Sequence, residues 1–220
     1  MITAVIGIPA SGKSAFAENL AVKDTSPGYR YYIATLIPFG RGGEERVKKH
    51  RKQRRNMDFM TLEIPKDLQE ADEWIKARRM ADRMLTVAMG DRSEPVDSPA
   101  AGKGPASGDR DIVLLDSVSC LVSNVLFDAD EEGESRPDMS VIISPQEADE
   151  KAALIAGQIE ELSGKAASLY VVMDELSEAA EYDDNEACFL DTNSLVNKKI
   201  LEMSDRIYRY ADGKWEETAD

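Results

Sequence analysis

The chain has one histidine in 220 residues. It has two cysteines, Cys120 and Cys188, far apart and in no metal-ligand spacing. That excludes a cysteine-based metal site and argues against a disulfide scaffold at this size. The expected setting is reducing and cytoplasmic. No run of 18 or more apolar residues occurs, so no membrane span is expected. The opening MITAVIGIPASGKS lacks a basic leader region and does not read as a signal peptide. Positive charge is also scarce: 27 Lys and Arg stand against 42 Asp and Glu, for a net charge of −15. A chain this acidic lacks the basic face that general nucleic-acid binding needs. No internal repeat is visible. Hydrophobic residues make up 42%, ordinary for a folded protein. The length fits a single domain over 1–220 carrying loop insertions.

The scarce positive charge is not spread evenly. Residues 44–56 hold seven bases and two acids, with His50 in their midst. A local basic patch on an acidic chain points to a small anionic ligand.

Apolar β-branched runs alternate with helical patterns along the chain. ITAVIG (2–7), YYIAT (31–35), FMTLEI (59–64), DIVLLD (111–116) and SLYVVMDE (168–175) read as strands. Helices are expected after the first glycine turn and over 44–56. Another is expected over 66–89, through Leu68, Ala71, Ile75, Met80, Met84 and Val87. Three more are expected over 117–127, 147–166 and 190–205, the last with Asp191 or Thr192 near its N-cap. GRGG (40–43) reads as a flexible loop. Residues 90–110 and 128–140 read as loop insertions. RIYRYA and KWEE would close the sheet edge. The alternation predicts an α/β fold, a mostly parallel sheet covered on both faces, with ligands at the carboxyl ends of its strands.

GIPASGKS (7–14) fits G-x-x-x-x-G-K-[ST] without mismatch, between a strand and a helix. Backbone N–H groups of Gly7, Ile8, Pro9-Ala10, Ser11 and Gly12 form the loop (proline itself has none). With the helix N-terminus they would cradle a phosphate chain. Lys13 would reach the β- and γ-phosphates and Ser14 would ligate Mg²⁺. The bland alternative is an ordinary Gly/Ser turn. A second acid at a strand end should help hold the metal. Asp116 is one candidate and Asp174 or Glu175 the other. Either would otherwise be an acid capping the next helix. Glu175 also fits a water-polarising role in a hydrolytic ATPase.

Helix 44–56 has only Val47 and, just beyond, Met57 as apolar residues, so packing does not explain it. Arg46, His50 and Arg54 share one face at i, i+4 and i+8. Arginine suits bidentate phosphate binding. Neighbouring cations lower an imidazole's pKa and keep a lone pair available. His50 would then be a nucleophile toward phosphorus or a hydrogen-bonding partner of phosphate. The competing view is a solvated basic helix with an incidental histidine.

These segments together resemble the bifunctional adenosylcobinamide kinase/adenosylcobinamide-phosphate guanylyltransferases of cobalamin synthesis. The carriers are the phosphate loop followed by SAFAE, YIAT (32–35), RVKKHR (46–51) and RRNMDFMTLEIP (54–65). LLDSVSCLVSNVLF (114–127), VVMDE (171–175) and FLDTNSLVNKKILEMSDRIY (189–208) add to them. The resemblance covers 1–65, 111–127 and 168–213. It implies a P-loop NTPase (RecA-like) fold that phosphorylates adenosylcobinamide. GMP would then pass from GTP to the new phosphate through a histidine-bound intermediate on His50. It implies nucleotide contacts at Ala34, Thr35, Arg51, Lys52, Gln53, Arg54, Glu63 and Asp116. Mg²⁺, GTP or ATP, a corrinoid acceptor and a homotrimer are implied as well. The chain departs from the family pattern at Gly42-Gly43, Phe59, Glu175-Leu176-Ser177, Leu190, Ser194 and Lys198. These changes bear on the acceptor pocket and subunit contacts. Two other readings remain: a P-loop kinase of another small metabolite, and a nucleotide-binding or ATPase protein without transferase activity.

Overall fold

In the computed structural model, residues 1–38, 40–88, 111–127, 143–176 and 184–218 are described. The expected insertions 90–110 and 128–140 lie outside them. Seven strands form one sheet: β1 (Ile2–Gly7), β2 (Arg30–Ala34), β3 (Phe59–Glu63), β4 (Ile112–Asp116), β5 (Ser168–Asp174), β6 (Arg206–Ala211) and β7 (Lys214–Thr218). Their spatial order is β3-β2-β4-β5-β1-β6-β7. All neighbours run parallel except the β6–β7 hairpin at one edge. Among the described residues six helices flank the sheet: α1 (Lys13–Lys23), α2 (Gly40–Arg54), α3 (Gln69–Ala88), α4 (Val118–Leu126), α5 (Pro145–Ser163) and α6 (Asp184–Glu202).

The near-continuous apolar character of the central strands follows from burial on both faces. Ile112, Val113, Leu114 and Leu115 of β4 are all fully buried, each worth about 1.5–3 kcal/mol of burial. Alternation sends Ala4, Val113, Leu115, Leu169 and Val171 into a core with α3, α4, α5 and α6. Val5, Tyr32, Leu114, Tyr170 and Val172 face Ala17 and Ala21 of α1 on the other side. Phe16 of α1 stacks on Trp215 of β7, ring centroids 4.5 Å apart, which seats the edge hairpin against that helix.

Three expectations are corrected. GRGG is not a loop: α2 starts at Gly40, with those glycines as its first turn. Asp191 and Thr192 do not cap a helix, because α6 starts at Asp184 and they lie inside it. The Thr192 hydroxyl instead donates to the Cys188 carbonyl one turn back, at 2.7 Å. The third concerns α3. Leu68, Ala71 and Ile75 are buried, but Met80 and Met84 are more than half exposed. A 3.6-residue step from Ile75 leads to Arg78 and Arg79, so the two methionines stand on another face. Val87 has a side chain outside the described residues.

Candidate nucleotide site

The chain reverses between β1 and α1 through the residues of the glycine motif. Ala10 and Gly12 take positive φ, 64° and 84°. Gly12 is the N-cap of α1 and supplies no side-chain cap, and no acid stands in the first turn. The helix N-terminus is thus left to an anion. Gly7 is held tightly: a Cβ there would come within 2.9 Å of Ser11 Oγ and of Tyr210 Cβ. Lys13 is buried. Its Nζ donates to the Ile8 carbonyl at 3.1 Å and pairs with Asp174 Oδ1 at 2.6 Å.

Sheet order explains that pair. β5 lies beside β1 with Gly7 opposite Asp174, so the acid ending β5 meets the loop leaving β1. Ser119 of α4 also donates to Asp174, and its hydroxyl lies 3.2 Å from that of Ser117. Asp116 ends β4, one strand further out, and accepts from the Tyr32 hydroxyl. Glu175 turns elsewhere: it pairs with Arg209 of β6.

These strand ends open into a cleft of about 980 Å³. Pro9, Ala10, Gly12, Lys13 and Ser14 of the loop line it, together with His50, Arg51, Gln53 and Arg54 of α2. Ala34, Glu63, Asp116 and Asp174 line it at the strand ends. The cleft therefore gathers thirteen of the residues singled out from sequence. Gly7, Ile8 and Ser11 belong to the loop without lining the cleft, and Lys52 and Glu175 also stand outside it.

Thr35 does not line the cleft either; it is fully buried. Its hydroxyl donates to the Ser117 carbonyl at 2.8 Å and accepts the Ser117 N–H at 2.9 Å. Asn124 of α4 completes this brace by donating to the Thr35 and Pro65 carbonyls, at 2.8 and 3.0 Å. These residues lock the ends of β2 and β4 that present Ala34 and Asp116.

The expected face of Arg46, His50 and Arg54 is realised differently. The Arg46 side chain lies outside the described residues, and His50 is half-buried in the cleft wall. Arg54 is buried, its guanidinium 3.5 Å from the centre of the Tyr32 ring and its Nη1 3.6 Å from Glu18 Oε1. Gln53 Nε2 donates to Glu18 Oε2 at 2.9 Å. Arg51 pairs with Glu63 at the rim. Burial pushes the Glu18 carboxyl up to about 6; Arg54 opposes this and Asp116 reinforces it. Tyr32 is likewise pushed well above the ordinary phenol range, by burial first and by Asp116 second.

Sequence reasoning missed Glu18, Tyr32 and Ser119. The signal for Glu18 was present: it falls four residues after Ser14 and three before Ala21, on the buried face of α1. Cys120 and Cys188 are not joined in a disulfide. Among the described residues no helix is long and apolar enough to cross a membrane.

No curated protein sequence matches the chain. Three solved structures are similar in outline. The ATPase domain of G40P has a TM-score of 0.43 at 11% identity, over 96% of this chain and 69% of its own. The flagellar accessory protein FlaH from Methanocaldococcus jannaschii has 0.37 at 13%, over 98% and 75%. An ATPase from the type III secretion system of pathogenic bacteria has 0.41 at 9%, over 96% and 51%. At these scores the fold is defined by its own strand order and phosphate loop. Residues 3–87 match the family model for cobinamide kinase / cobinamide phosphate guanyltransferase. That segment holds the phosphate loop, β2, the His50 helix and β3, and over these elements the chain is similar to the cobinamide kinase / cobinamide phosphate guanyltransferase family.

Proposed function

We propose that this chain phosphorylates a cobinamide-type acceptor and then transfers GMP to the new phosphate through His50. One observation carries the reading: the phosphate loop and His50 line one cleft. Groups suited to hold a triphosphate therefore share a cleft with a side chain suited to act as a nucleophile.

The loop N–H groups and Lys13 bind the phosphate chain in both steps. In the kinase step an acceptor hydroxyl oxygen bonds to the γ-phosphorus, the nucleoside diphosphate leaves, and the hydroxyl proton is released. In the transferase step an imidazole nitrogen of His50 bonds to the α-phosphorus of GTP while the bond to pyrophosphate breaks. The acceptor's phosphate oxygen then attacks the same phosphorus, breaks the P–N bond and regenerates His50. Arg51 and Arg54 offset charge on the equatorial oxygens. The donor set suits Mg²⁺ held mainly by nucleotide. Among the described residues there is no cluster of three or more His, Cys, Asp or Glu side chains, and Mg²⁺ typically takes one or two carboxylates plus phosphate oxygens. Ser14 with Asp116 or Asp174 would hold it, and it would neutralise the leaving pyrophosphate. A cytoplasmic setting accords with two cysteines that are not in a disulfide.

The hydrolytic reading has less support, because Glu175 pairs with Arg209 and does not line the cleft. Incubation with α-labelled GTP and Mg²⁺ tests the proposal. An acid-labile, base-stable GMP adduct should form, and His50→Ala should lose it. Phosphoryl transfer from ATP without any adduct would instead identify a kinase of another metabolite.

A further inference from the structure

A helix with almost no apolar side chain needs something else to hold it. Among the described side chains of α2, Val47 is half-buried and only Arg54 is buried. Arg54 is held from two directions. Its guanidinium lies on the Tyr32 ring at 3.5 Å, and Glu18 of α1 is its counter-ion at 3.6 Å. Glu18 is completely buried and its other carboxylate oxygen accepts from Gln53 at 2.9 Å. One carboxylate thus grips the last two residues of α2. His50 stands one turn before Arg54 on the same face, about 6 Å along the axis.

We propose that Glu18 is a positioning residue for the nucleotidyl-transfer step. It couples the helix that begins at the phosphate loop to the helix that carries His50. It does so through Arg54 and Gln53, and thereby sets where the imidazole stands relative to the bound triphosphate. The inference rests on the proposed reaction at His50. It adds a residue that touches neither nucleotide nor acceptor: Glu18 does not line the cleft, whereas Arg54 and Gln53 do.

The fit between Glu18 and Arg54 is loose for a buried pair. Glu18 Oε1 and the Arg54 Nε and Nη1 have no hydrogen-bond partner. Buried donors without partners are costly, and a pair kept for stability alone would satisfy them. Arg54 also lines the cleft, so the guanidinium held between Glu18 and the Tyr32 ring belongs to a residue that a bound phosphate chain would meet. Glu18 then fixes the position of that guanidinium.

The test is a double-mutant cycle on the rate of adduct formation, with Glu18→Gln, Arg54→Gln and the double variant. Glu18→Gln keeps shape and the ability to accept from Gln53. Circular dichroism and the half-saturating GTP concentration monitor fold and binding. The expected result is at least about a tenfold slower adduct in Glu18→Gln, with half-saturating GTP changed less than about threefold. Against Arg54→Gln, adding Glu18→Gln should cost less than about twofold more, because both changes break one linkage. Gln53→Ala, an exposed change unable to disrupt the core, should slow the adduct by a smaller factor. Full rate in Glu18→Gln, or effects that multiply independently in the double variant, would overturn the role. So would a loss confined to GTP binding. If Glu18→Gln fails to fold, an unaltered adduct rate in Gln53→Ala overturns the linkage. A wild-type chain that forms no adduct overturns the proposed reaction itself. A wild-type adduct alongside a fully active Glu18→Gln overturns only the part given to Glu18.

Discussion

Ionised Glu18 should cost the fold stability, and Glu18→Gln should remove that cost. The carboxyl is fully buried and raised from 4.5 to about 6. At 1.36 kcal/mol per pH unit this corresponds to about 2 kcal/mol. The sign follows from the direction. Because the folded value lies above the unfolded one, the stabilising contribution is complete below pH 4.5 and is lost as pH rises through 6. About 1.2 kcal/mol of the loss falls between pH 5 and 8, away from the sequence pI of about 4.6, where solubility is lowest. Urea unfolding of wild type and Glu18→Gln at pH 5, 6, 7 and 8 isolates the effect, since all other groups titrate alike in both proteins. The stability difference should shift toward Glu18→Gln by that amount as pH rises. A flat difference, or a shift toward wild type, would refute the claim that burial outweighs the attraction of Arg54. The expected combination is a variant that holds its fold better at neutral pH and transfers GMP more slowly. That is the pattern of a residue kept for function.

Two further outcomes follow from the loop and the brace beside it. Thr35→Val removes two buried hydrogen bonds and leaves the Ser117 N–H without its acceptor. It should lower unfolding free energy by about 2–3 kcal/mol in urea titrations, although Thr35 does not line the cleft. Gly7→Ala drives a methyl group against Ser11 and Tyr210, both at 2.9 Å. It should cost about 1–3 kcal/mol in thermal unfolding and weaken binding of a fluorescent GTP analogue.

The strands and the phosphate loop were legible because local chemistry decides them. IVLLD is apolar at its first four positions because β4 is covered on both faces, and GIPASGKS carries Gly12 where φ is positive. Burial on both faces also left the strand order open, since such strands show no inside-outside alternation to separate neighbours. That order decides that Asp174, not Asp116, meets Lys13. The packing of Arg54 and Thr35 was not legible for a related reason. A strand residue two elements away supplies the ring on which the Arg54 guanidinium lies. Ser117, just past the neighbouring strand, uses the Thr35 hydroxyl twice. The C-terminal helix was placed too late because Asp191 and Thr192 favour caps in isolation, while the residues from Asp184 onward already continue the turn.

The anchoring of α2 is graded along its length, and the grading favours the chemistry. Its first turn holds Gly40, at φ 60°, and then Gly42 and Gly43, each of the latter two about 1 kcal/mol worse than alanine in a helix. Only Gly43 has a packing reason, since a Cβ there would come within 3.0 Å of Pro38. The last turn is fixed by Arg54 beneath and Arg51 at the rim. These two fixings differ in kind. Arg51 and Glu63 are more than half exposed and contribute little that salt does not screen. Glu18 and Arg54 are buried, where screening is weak and the orientation is set by Tyr32. High salt should therefore loosen the rim contact and leave the buried one. His50 lies within one turn of the buried anchor and two to three turns from the glycines. In the proposed reaction, His50 would keep its position while the start of the helix yields to a ligand entering the cleft.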